Sequence, residues 1–170
     1  MNARIDDLIV TRWGARFQGR QFSCAIGRAG IGEKSGEGDN ITPRGVWRLK
    51  QIWHRPDRVS MARETLPGFP ITPGDVWSDD PKDNNYNAHR HAFGTYPFGH
   101  EAMRRPDPIY DLLAVTDFNW PDAVSGAGSA IFLHVWRKPR HPTAGCVAFD
   151  LSDLSYILAN WRPWSRLIVR

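Results

Sequence analysis

Within the segment 131-IFLHVWRKPRHPTAGCVAF-149, Cys146 and His134, twelve positions apart, are of the types needed for a nucleophile and its base. A cysteine thiol ordinarily titrates near pH ~8.5, so only about a few per cent is thiolate at neutral pH. Catalysis then requires a base or a positive field beside it. An imidazole near the end of an apolar strand is partly desolvated and held at a fixed height. The loop RKPRHPTAGC returns the chain so that Cys146 can stand beside His134. Gly145 admits close approach of a carbonyl substrate, and its amide with that of Cys146 would form an oxyanion hole. His141 competes as the base, but it lies in a polar loop before Pro142 with nothing to orient it. Residue types and spacing leave two readings open: a catalytic cysteine, or a structural cysteine with a histidine near it by chance.

Two other constellations carry less. The run 27-GRAGIGEKSGEGDNITPRG-45 approaches a phosphate loop, but Glu33 separates Gly32 from Lys34, and a carboxylate there would repel the ligand. A long glycine-rich connection between strands is the better reading. His89 and His91, with Asp79, Asp80 and Asp83 nearby, would share one face of a strand and suit two-ligand metal capture. No third ligand stands at a diagnostic spacing, so no metal is expected, nor any cofactor.

The elements that must position these groups are short. Residues 8–13, 21–27, 45–54, 110–118, 129–136 and 164–169 read as strands. Those at 110–118 and 129–136 are apolar on both faces, as buried central strands are. In the second strand, Phe22, Cys24 and Ile26 share a core face. One helix is predicted in LSDLSYILANW, capped by Asp150 or Ser152 and stopped by Pro163, with Leu151, Leu154, Ile157, Leu158 and Trp161 at helical spacing. Without βαβ alternation, the fold class is mainly β with one or two helices, a sandwich or open barrel, in a single domain over 1–170. Residues 56–108, with seven prolines before the end, read as an irregular lid or cleft wall.

The 170 residues are enough for one core without staples, and two cysteines make no disulfide framework. The formal charge of +4 comes from scattered basic residues and matches no nucleic-acid module. The first twenty residues contain only a three-residue apolar run, so no signal peptide is recognised, and no run is long enough for a membrane span. A monomer is the default expectation.

The chain resembles the L,D-transpeptidase catalytic domain, the YkuD-like family, in its compact single-domain branch. The resemblance rests on His134 followed by Thr143, Gly145 and Cys146, and on GEGDNITPRG, WHRPDR, VWSDDPKDNNYN and IYDLLAVTDFN. Ala144 stands where the commoner motif has histidine, Ala148 where many members have asparagine, and the loop from His134 to Cys146 is short. The resemblance implies that Cys146 attacks an amide of a peptidoglycan stem peptide with His134 as base. The Val135 carbonyl would orient the imidazole. A diaminopimelate amine would then resolve the thioester, giving 3,3 or 1,3 links, and water would give carboxypeptidase activity instead. A non-catalytic peptidoglycan-binding module is a further alternative. Stem peptides carry carboxylates, so an arginine is expected in the cleft, with Arg58 the candidate, since arginine binds carboxylate bidentately. Thr143, Tyr86, Asn87, Asp80 and Trp77 are candidate substrate-binding residues. The implied location is the periplasm or cell wall.

Overall fold

The computed structural model describes residues 2–60 and 65–170. In chain order the first strands are β1 (Leu8–Thr11), β2 (Gly14–Phe17), β3 (Arg20–Phe22), β4 (Ile31–Gly32) and β5 (Thr42–Pro43). Next come β6 (Gly45–Trp47), β7 (Leu49–His54), β8 (Gly68–Pro70), β9 (Asp75–Ser78), β10 (His89–His91) and β11 (His100–Ala102). The chain closes with β12 (Leu112–Thr116), β13 (Phe132–Val135), β14 (Val147–Phe149), α1 (Leu151–Ala159) and β15 (Leu167–Val169). The fold is mostly β, in several sheets without a closed barrel, with one helix among the described residues.

A central sheet runs β14-β13-β12-β7-β8, and a second five-stranded sheet runs β3-β2-β1-β15-β6. Side chains alternate across a pleated strand, so the central sheet has two apolar faces. Leu112, Ala114, Leu133, Val135, Val147 and Phe149 face the main core, against Leu8, Val10, Leu167 and the helix residues Leu154, Ile157 and Leu158. Leu113, Val115, Phe132 and Cys146 belong to a second apolar cluster with Trp53, Trp77 and Met103. The pleat puts His134 on the face of Phe132. The parallel pairing of β13 with β14 sets His134 against Ala148, two residues beyond Cys146.

Sequence and structure differ in four places. The predicted strand 45–54 is broken at Arg48, and its halves join different sheets. The break is held because the Arg48 amide donates to Asp117 Oδ1 (2.7 Å) and its guanidinium to the Trp164 and Ser165 carbonyls (2.8 and 2.9 Å). The strand expected over 21–27 ends at Phe22, after which only isolated bridges, Ala25 to Ala148 and Gly27 to Thr143, tie the chain to the site. Cys24 still packs in the main core with Phe22. Segment 56–108 is not wholly irregular: it carries β8 and the three-stranded sheet β10-β9-β11, while residues 61–64 lie outside the described residues. The helix begins where Asp150 accepts from the Ser152 amide, but it ends at Ala159, well before Pro163. The Asn160 side chain instead caps it, donating to the Tyr156 carbonyl (2.9 Å).

Candidate active site

Cys146 and His134 open onto one cavity of about 610 Å³ on the face of the central sheet opposite the helix. Thr143, Ala144, Gly145, Tyr110, Trp136, His141 and Ala148 also line it. The thiol is 9% exposed and free of any disulfide. It donates to the Ala130 carbonyl (3.0 Å) and accepts from the Phe132 amide (3.3 Å). Burial pushes it up to about 12; Glu101 adds to the rise, while the Phe132 amide and Lys34 oppose it. Burial likewise pushes the His134 imidazole down to about 4, against the opposing pull of its backbone partner.

That partner is the Val135 carbonyl, 2.8 Å from His134 Nδ1. A carbonyl can only accept, so the neutral ring carries its proton on Nδ1 and leaves the Nε2 lone pair free to act as a base. The Tyr110 ring meets the imidazole edge to face with centroids 5.7 Å apart. Thiol and imidazole are therefore both neutral in the resting protein.

The turn bearing the cysteine is fastened by Thr143. Its hydroxyl donates to the Cys146 carbonyl (2.6 Å) and accepts from the Gly145 amide (3.1 Å). Gly145 has φ 148°, and a Cβ there would lie 3.0 Å from the Ile41 carbonyl oxygen, so the turn demands glycine. In this state the Gly145 amide, expected in the oxyanion hole, is engaged within its own turn. His141, the competing base, lines the cavity from an exposed loop.

The other candidates are distributed differently from the sequence expectation. Arg58 is outside the cavity lining, paired with Asp111 Oδ1 (2.9 Å) and with backbone carbonyls of Pro106 and Asp107. The lining cations are Lys34, Arg105 and Arg137. Asp80 is half-buried and accepts from the Lys82 and Gly99 amides; Asp79 is the one that reaches the cavity. Trp77 and Asn87 form a layer behind the wall. Asn87 Oδ1 accepts from Trp77 Nε1 (2.9 Å) and from the Ala130 amide (3.0 Å), fixing Ala130 at φ 50° with its carbonyl on the thiol. Tyr86 donates its hydroxyl proton to Glu37 and accepts from the Gly128 amide (2.9 Å).

Sequence reasoning passed over Lys34, Glu37, Glu101, Arg105 and Tyr110 as substrate-site residues and weighed Asp79 only beside a metal, though all six line the cavity. Lys34 came closest to notice, as the lysine of the rejected phosphate loop. It is 4% exposed and paired with Asp39 at 2.6 Å. Its stem crosses Gly128 so closely that a Cβ there would lie 2.4 Å from Lys34 Cε. His89 and His91 do share a strand face, and both rings meet Asp75 Oδ1 (3.0 and 2.9 Å).

Comparison with known proteins gives one family. The model described as the L,D-transpeptidase catalytic domain, YkuD, matches residues 8–169. No curated protein and no solved structure matches the chain.

Proposed function

The chain belongs to the L,D-transpeptidase catalytic domain family, and on that premise we propose that it acylates Cys146 with a peptidoglycan stem peptide and transfers the acyl group to a diaminopimelate side-chain amine. The observation that supports this reading is the buried thiol sharing a cavity with an imidazole whose Nδ1 is bound to the Val135 carbonyl. Because the resting pair is neutral, proton transfer accompanies attack. Sγ bonds to the amide carbonyl carbon as its proton passes to His134 Nε2. The carbon–nitrogen bond then breaks, and the leaving amine takes that proton. In the second half an amine attacks the thioester, loses a proton to His134, and expels the thiolate, which recovers the proton from the imidazole.

The Cys146 amide, joined by that of Gly145 once Thr143 releases it, would stabilise the oxyanion. Arg105 and Arg137 replace Arg58 as the cations available to substrate carboxylates. Ala144 leaves the donor wall small beside the nucleophile, which suits either the first or the third stem residue as acyl donor. The family implies action at the cell wall, and among the described residues no helix is long and apolar enough to cross a membrane.

Incubating the purified chain with stem peptides and separating the products tests the proposal. Cross-linked dimers are expected. Shortened monomers would replace transfer with hydrolysis, and unchanged peptides would contradict both.

A further inference from the structure

The cavity is not electrically uniform. Glu37, Asp79 and Glu101 line it from three separate segments: the β4–β5 loop, the residue after β9, and β11. Their charges are poorly offset. Lys34, the one buried ammonium nearby, is held by Asp39 at 2.6 Å. Arg105 lies 3.7 Å from Glu101 but is bound more closely to Asp107, at 2.9 Å. Glu37 has the Tyr86 hydroxyl as a neutral donor. Among the described residues the Asp79 side chain has neither a hydrogen bond from another residue nor an ion pair, and burial, then Glu101 and Glu37, raise its carboxyl above the ordinary range. Asp79 thus senses both glutamates, and Glu101 is also close enough to act on the Cys146 thiol.

A second observation marks the same wall as a ligand site. Ser129 lines the cavity, is only 6% exposed, and its Oγ has no hydrogen-bond partner. The Tyr86 hydroxyl is near enough to feel Ser129, but it already donates to Glu37 and accepts from the Gly128 amide, and no hydrogen bond of good geometry joins it to Ser129 Oγ. A buried hydroxyl left without a partner is destabilising, and a ligand N–H would satisfy it.

We infer that the wall formed by Glu37, Asp79 and Glu101, with Ser129 Oγ, binds the acyl acceptor as its ammonium, takes one proton from it onto a wall carboxylate before attack, and so selects an amine over water or a neutral nucleophile. The inference rests on the transpeptidase reading for the identity of its ligand. A primary ammonium has three donors and one positive charge. It matches a concave wall that offers three carboxylates and an orphan acceptor, and it adds positive charge where the Arg105–Glu101 pair, at 3.7 Å and looser than the Arg105–Asp107 pair, offsets little of the wall's negative charge.

Binding without chemistry decides this. The Cys146→Ala chain is titrated with a stem tripeptide containing diaminopimelate, and with the same peptide acetylated on the side-chain amine. Acetylation should weaken binding at least ~10-fold, since a desolvated charge pair is lost. Adding Asp79→Asn and Glu101→Gln should bring the two peptides to equal affinity. Equal affinity on the Cys146→Ala chain itself overturns the inference, and that comparison needs no change to the acidic wall. A preference that survives the double substitution, or failure of both peptides to bind at millimolar concentration, overturns it too. No acyl transfer occurs in this assay. A native chain that never forms a thioester would therefore refute the proposed function and leave the binding result standing.

Discussion

The thiol and imidazole are held neutral by the same cause acting in opposite directions. Burial removes water from both, which disfavours the thiolate of Cys146 and the imidazolium of His134. The site is thus no preformed ion pair, and in the proposed mechanism Sγ becomes nucleophilic only as it loses its proton to His134 in the act of attack. Alkylation by iodoacetamide, followed against pH in a Cys24→Ala background, should keep rising beyond pH 9 toward the raised value of about 12. A plateau below pH 8 would mean a resident thiolate and contradict the account. His134 also leaves a mark on stability. Its folded value of about 4 lies below the ordinary 6.5, so the unfolded chain takes up the proton first. Stability is therefore lost as pH falls from 6.5 through 4, and His134→Gln should remove this part of the slope in urea titrations.

At the scale of elements, the site depends on supports that lie outside the cavity lining. Asn87 joins the small sheet's neighbourhood to the nucleophile by accepting from Trp77 Nε1 and the Ala130 amide, and by donating to the Asn119 carbonyl (2.6 Å). Asn87→Ala leaves buried donors without partners and should cost about 2–4 kcal/mol in unfolding free energy. A change below ~0.5 kcal/mol would show that water replaces the lost bonds. The strands β12 and β13 were legible in the sequence as short apolar runs buried on both faces, and the helix by its apolar residues at helical spacing. The break at Arg48 was not, because the alternation of Trp47, Leu49, Gln51 and Trp53 continues across it while the chain changes sheets. Nor were the strands β8 to β11: they are three or four residues long, and prolines and polar clusters surround them.

Across the whole molecule, one cavity gathers charged side chains from segments far apart in sequence, from Lys34 to Arg137. That Cys146 and His134 share one cavity was foreseeable because they lie close in the chain, while residue types and spacing alone left a catalytic and a structural cysteine both open. The place of Glu37, Asp79, Glu101 and Arg105 in it was not, since only the packed sheets bring them together. The fold also holds several carboxyls low. Burial would raise Asp39 and Asp83, but hydrogen bonds from Lys34 and amides to the first, and from Ser78, Tyr96 and Asn85 to the second, hold both at about 2. Their folded values lie below the ordinary 3.8, so their contribution is present above that pH and lost as pH falls toward 2. The urea midpoint should fall gently from pH 6.5 to 4 and steeply below; a midpoint unchanged down to pH 3 would contradict these assignments. The central claim, that Cys146 carries the acyl group, is tested most directly by the intact mass of the chain after brief incubation with a stem tetrapeptide. The account predicts a single acyl adduct, released by hydroxylamine, mapping to Cys146 and lacking in Cys146→Ala. An adduct that persists in Cys146→Ala, or product formation by that variant, would contradict it.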